Sequence, residues 1–132
     1  MPTVFSRIVN REIPAHIVAE DDNHLAFLDI SPVANGHVLV IPKRETDYIF
    51  ELESSEYEGL FQFVKLIATG LKRAIPCTKV GISVIGLEVP HVHVHLVPLN
   101  SVSDINFSKP KLTPSKDELD LICRKIREAI QL

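Results

Sequence analysis

Apolar residues fall along this chain in two rhythms, one helical and one strand-like. Over residues 55–75, Leu60, Phe63, Val64, Ile67, Leu71 and Ile75 recur at spacings of three or four. That spacing stacks them on one face of a helix. Ser54 or Ser55 offers a cap at its start, and Pro76 forces the exit. A second helix is predicted near the end, where Thr113-Pro114-Ser115 opens it and Ser115 with Glu118 has capping-box spacing. Its apolar stripe is Leu119, Ile122, Ile126, Ala129 and Ile130. At the other end, Val4, Ile8 and Val9 suggest a short helical turn that docks on the body, closed by Ile13-Pro14.

Short apolar or alternating segments lie between these helices. Residues 16–20 and 24–29 read as two strands around a turn at Asp21-Asp22-Asn23. Ser31-Pro32-Val33-Ala34-Asn35-Gly36 has loop chemistry. His37-Val38-Leu39-Val40-Ile41 reads as a buried strand stopped by Pro42, residues 79–85 as another, and about 90–97 as the last. This element order predicts an α+β domain: a mainly antiparallel five-stranded sheet, one long central helix and a C-terminal helix. A chain of 132 residues suits one domain, with a core at about 3–98 and a C-terminal extension over about 99–132.

The last strand carries the chemistry. His91-Val92-His93-Val94-His95-Leu96-Val97 alternates histidine with apolar residues. On a strand, the histidines line one face while Val92, Val94 and Leu96 enter the core. Histidine gives, takes and shuttles protons near neutral pH and also serves as a nucleophile. A metal site competes with this reading. Alternate strand residues are roughly 6.7 Å apart at the backbone, so neighbours in the row can lean onto one ion. His91 and His95 are roughly 13 Å apart by the same rise and cannot both join His93 without a bend. A straight row suits an extended substrate better than a tetrahedral ion.

Composition narrows the partners. The formal net charge of −3 argues against a nucleic-acid binder, which would show a basic face. Small anions held by amides and histidines remain open. The two cysteines, Cys77 and Cys123, form no C-x-x-C and no disulfide framework. Reduced thiols, no signal peptide in the Arg- and Glu-broken N-terminus and no run near the roughly 20 apolar residues of a membrane span together give a cytoplasmic expectation.

The His91–Val97 segment matches the histidine-triad signature, and the chain resembles the histidine-triad (HIT) superfamily. The likeness extends through Arg11-Glu12-Ile13-Pro14-Ala15, Glu20-Asp21-Asp22, Ala26-Phe27-Leu28-Asp29-Ile30-Ser31-Pro32 and Gly36-His37-Val38-Leu39-Val40-Ile41-Pro42-Lys43. These blocks look like the branch of histidine-triad nucleotide-binding proteins, which hydrolyses nucleoside phosphoramidates. The resemblance implies that His93 attacks the α-phosphorus of a nucleotide and forms a nucleotidyl-histidine intermediate that water then breaks. It implies that His91 and His95 flank it as donors to the phosphate oxygens, and that His37 passes a proton to the leaving group. The ring of the nucleophile is expected to donate its other N–H to a backbone carbonyl. Asp29 would hold the ribose hydroxyls, and Phe5, Ile8, Phe27 and Ile30 would sandwich a purine. His16 and His24 fall outside the motifs and are expected at the surface. No P-loop or G-x-G-x-x-G is present, and no cofactor is implied.

Three features depart from the family pattern. Thr3 and Ser6 stand where many bacterial relatives have zinc-binding cysteines, and Glu45 stands where a histidine is common, so no structural metal is expected. The segment Val84-Ile85-Gly86-Leu87-Glu88-Val89-Pro90 is shorter than the usual Gly-rich loop and has Leu87 in place of a glutamine that helps hold long phosphate chains. Pro98-Leu99-Asn100 follows the triad without a basic residue. The expected activity is therefore phosphoramidate hydrolysis on a purine nucleotide. The alternatives are a dinucleoside polyphosphate hydrolase, a non-catalytic nucleotide-binding regulatory dimer and a metal protein. A homodimer is expected because Leu60, Phe61, Phe63, Val64, Ile67 and Leu71 spread wider than one narrow stripe. The C-terminal helix is the rival cover for that surface.

Overall fold

Five strands and three helices form along the chain in a computed structural model that describes residues 2–130. Helix α1 (Val4–Val9) is followed by strands β1 (Ile17–Glu20), β2 (His24–Leu28) and β3 (Val38–Pro42). Helix α2 (Ser54–Ala74), strands β4 (Lys79–Ser83) and β5 (Val94–Leu99), and helix α3 (Lys116–Ala129) complete the order. The strands make one antiparallel sheet in the order β1-β2-β3-β5-β4. The class is α+β.

Side-chain alternation gives the sheet two faces with different fates. Ala26, Leu28, Val38, Val40, Val94 and Leu96 face the main core, where Leu60, Phe63, Val64, Ile67 and Leu71 of α2 and Leu119, Cys123 and Ile126 of α3 cover them. Leu25, Phe27, Leu39 and Ile41 point the other way and meet Phe5 and Ile8 of α1 in a smaller second core. The short helix therefore docks through Phe5 and Ile8, while Val4 stays exposed. Thr3 caps it by accepting from the Ser6 amide at 3.0 Å.

Local chemistry sets the joints. The Asp21 carboxylate accepts the Asn23 and His24 amides at 2.9 and 2.7 Å, closing the β1–β2 turn. Glu53, rather than Ser54 or Ser55, occupies the N-cap of α2, with the Glu56 carboxylate returning to its backbone N–H at 3.4 Å. The Ser115 and Glu118 capping box opens α3 as the sequence predicts. Gly36 turns the chain into β3 at φ +87°, where a Cβ would meet Ile75 at 3.0 Å. Gly70 lets α3 lie close on α2, because a Cβ there would stand 2.5 Å from Ile130.

Three expectations are corrected. Strand β5 begins at Val94, so His91 and His93 precede it. Its pairing with β3 runs only from Val38↔Leu96 to Val40↔Val94. His24 is buried, stacked on Phe63 at 5.2 Å and bonded through Nδ1 to Asp21 at 2.9 Å. His16 is half-buried and meets Asp120 of α3 at 3.1 Å.

Candidate active site

The three histidines of the row have three different environments. His91 is fully buried. Its Nε2 lies 2.8 Å from the Pro42 carbonyl, which only accepts, so the proton is on Nε2. Its Nδ1 then accepts from the Thr3 hydroxyl at 2.9 Å. Behind it, Glu45 accepts the Thr3 amide at 2.9 Å and the Ser6 hydroxyl at 2.7 Å. These hydrogen bonds hold the Glu45 carboxyl below the usual range. Thr3, Ser6 and Glu45, the positions that lack the relatives' metal-binding residues, are thus joined to His91 by hydrogen bonds. The expectation that His91 donates to a phosphate meets a ring whose two nitrogens already have partners.

His93 sits beside it with Nδ1 2.7 Å from the His91 carbonyl. That contact fixes Nδ1–H and leaves the lone pair on Nε2. This is the carbonyl bond expected for a nucleophile. Phe5 packs edge-on against the ring at 5.0 Å.

His95 belongs to a relay. The Val33 amide donates to His37 Nδ1 at 3.2 Å. A backbone N–H is always a donor, so the His37 proton lies on Nε2. His37 Nε2 is 2.9 Å from His95 Nδ1 and donates to it. His95 is left with Nε2–H. The two rings beside one another, 5.0 Å between centroids, therefore offer one bare nitrogen on His93 and one N–H on His95.

Burial keeps His37 and His95 uncharged. Desolvation, helped by the nearby His93 charge, lowers His95 to about 4; desolvation, helped by the charges of His95, Lys111 and His93, lowers His37 to about 3. An added proton would also break the Val33–His37 hydrogen bond. Desolvation lowers His91 as well. Asp29, half-buried at the end of β2, is raised by the same cause. One of its oxygens accepts the Ser31 amide at 2.8 Å, and the other lies 3.8 Å from His37 Nε2. Asp29, His37 and His95 bring ligand atoms within 4.8 Å of one another. The 2.9 Å between the two nitrogens is a hydrogen bond, shorter than the roughly 3.5 Å that a tetrahedral ion sets between its ligands, so the pair as it stands shares a proton.

The proposed purine walls divide. Phe5, Ile8 and Phe27 are buried in the second core, with Phe5 and Phe27 edge-to-face at 5.5 Å. Ile30 is 66% exposed and free to meet a ligand. On the far side of His93 lies a cleft of about 350 Å³ lined by Asp47, Tyr48, Phe50, Ile85 and Leu87 among others. Two residues escaped the sequence reading. Phe107 packs on His95 and His37, and Lys111 lies near enough for its charge to act on both Asp29 and His37. Nothing in an exposed polar loop signals such a role. Thr3 was legible only as a departure from a family pattern.

The site thus sets a hydrogen-bonded histidine pair beside a histidine with one bare nitrogen. The HIT domain family model matches residues 10–102, and the chain belongs to that family. It is 37% identical over 102 residues to a HIT-like protein of Borreliella burgdorferi, covering 72% of this chain and 73% of that one. Among solved structures, a HIT-like protein involved in cell-cycle regulation from Bartonella henselae superposes with a TM-score of 0.84 at 28% identity, covering 97% and 96% of the two chains. A hypothetical histidine triad nucleotide-binding protein from Sulfolobus tokodaii gives 0.81 at 31% identity, covering 95% and 89%. The fold is that of HIT-family nucleotide-binding proteins.

Proposed function

We propose that this protein is a hydrolase that cleaves the P–N bond of purine nucleoside phosphoramidates through a nucleotidyl-histidine intermediate on His93. The tautomer pattern carries the reading: His93 keeps Nε2 free to attack while the neighbouring His95 keeps Nε2–H free to donate. Anionic phosphate beside His95 favours the charged imidazolium, so substrate draws one proton from water onto the His37–His95 pair. His93 Nε2 then bonds phosphorus, the P–N bond breaks, and the leaving amine takes that proton. Water next attacks phosphorus, returns a proton to the pair and frees His93. Splitting one displacement into two is the gain of covalent catalysis.

In this reading His91 is a positioning residue, because its carbonyl orients the nucleophile and its ring is tied at both nitrogens. Asp29 keeps one oxygen for a ribose hydroxyl, since the other serves Ser31. Ile30 offers exposed apolar surface to the base, while Phe5, Ile8 and Phe27 are buried together in the second core. Phosphoramidates fit better than dinucleoside polyphosphates because the cleft beyond His93 is lined by Phe50, Ile85 and Leu87, whose side chains cannot pair with a long phosphate chain, and by Asp47, whose negative charge opposes one. The test is mass spectrometry of the intact protein mixed rapidly with an adenosine phosphoramidate. A transient AMP adduct is expected on the native chain and not on His93→Ala. An equal adduct on both proteins removes His93 from the mechanism.

A further inference from the structure

The C-terminal segment returns to the histidines after leaving the sheet. Asp104 gathers the Asn100 and Ser101 amides at 2.7 and 2.8 Å and turns the chain back. The Leu112 amide then donates to the Pro32 carbonyl at 2.9 Å, pinning the segment to the loop that follows Asp29. Between these two anchors the Lys111 ammonium donates to the Phe107 carbonyl. Phe107 is thereby held over the relay, its ring 4.6 Å from that of His95 and 5.9 Å from that of His37, edge-to-face on both. His37 is 1% and His95 8% exposed. The HIT domain match ends at residue 102, so this cover lies outside it.

We propose that Phe107 is a positioning residue of the site, an apolar roof that keeps water off the His37–His95 pair and so holds the relay in its neutral, hydrogen-bonded resting state. His93 and Lys111 act on the pair through their charge, and the Asp29 carboxyl lies 3.8 Å from His37 Nε2. Asp29 alone among them offers negative charge, and half-burial raises its own carboxyl. Lys111 adds positive charge from the same segment as the roof. An uncharged pair matters because it accepts a proton only when the anionic substrate arrives. The kinetic half of this inference rests on the function proposed above, and the titration half does not.

The test compares the native chain with Phe107→Ala and Phe107→Leu. Imidazole ¹⁵N NMR between pH 7 and pH 5, above the range where acid unfolds the chain, follows the onset of His37 and His95 protonation, and steady-state kinetics use an adenosine phosphoramidate. With Ala, water reaches the pair. Its titration is expected to move up by about one unit or more, with kcat falling about tenfold and KM changing less than about threefold. Leu keeps an apolar cover and should restore both readouts. Titrations unchanged by Ala overturn the proposal. A higher kcat with a lower KM also overturns it, since Phe107 would then be a plug. A native chain that hydrolyses no phosphoramidate, yet shows the expected titration shift, refutes the function and leaves the roof standing.

Discussion

Acidification should unfold this protein through its two buried histidines. Unfolding returns His37 and His95 to water, where each binds its proton near pH 6.5. In the fold they sit at about 3 and about 4. Between those limits the unfolded chain binds more protons, so stability rises with pH and is lost as pH falls from 6.5. At pH 5 an unfolded histidine is about 97% protonated, while the folded His37 and His95 are about 1% and about 9% protonated, a difference of about 1.8 protons for the pair. The slope there is about 2.5 kcal/mol per pH unit, and the loss from pH 7 to pH 5 is about 3–4 kcal/mol. That is a large share of the 5–15 kcal/mol typical of a domain. The depressed His91 adds in the same direction, and the raised Asp29 opposes it at lower pH. Urea unfolding followed by circular dichroism at pH 7, 6 and 5 measures the slope. His37→Gln should remove about half of it. A native chain that loses less than about 1 kcal/mol over this range, or a variant with the full slope, refutes the argument.

Other outcomes follow from the same geometry. His93→Ala should keep its fold and mononucleotide binding and lose several orders of magnitude in turnover; activity within about tenfold of native ends the nucleophile assignment. Phosphoramidates should exceed diadenosine polyphosphates widely in kcat/KM, and equal rates would show that the Leu87 side of the cleft does not discriminate. EDTA should leave activity unchanged because no step needs an ion; a loss restored by zinc would contradict this. Sedimentation equilibrium at micromolar concentration should give twice 14.8 kDa, since the edge strand β4 leaves Ile82 exposed and Ile85, Phe50 and Tyr57 are exposed as well. A monomer mass would assign the whole cover to α3.

Much of the fold was legible because it rests on local pattern. The long α2 repeat, the α3 capping box and the strand order around Asp21 and Gly36 all express spacing and turn chemistry. The errors mark places where tertiary contacts override that pattern. His24 reads as a surface residue until Phe63, 39 positions later, supplies a stacking partner. The triad reads as one continuous strand, but His91 and His93 leave the ladder because their polar atoms find better partners in Pro42, Thr3 and a carbonyl two residues back. Period alone places three equivalent histidines on one face. It says nothing of which nitrogen carries a proton, which Val33 and Pro42 decide. Phe107 is invisible for a further reason, because an isolated aromatic in a polar stretch has no period at all.

The early end of the β3–β5 ladder has a mechanical consequence. Beyond Val40↔Val94 the two strands part, and across the gap a side chain, His91, reaches the Pro42 carbonyl in place of a backbone amide. His93 stands at this unzipped end. A residue within the ladder is set by its neighbours on both strands, whereas His93 lies beyond the last β3–β5 pair and takes its ring position from the His91 carbonyl and from Phe5. The His91 imidazole closes the opening in place of a ladder hydrogen bond.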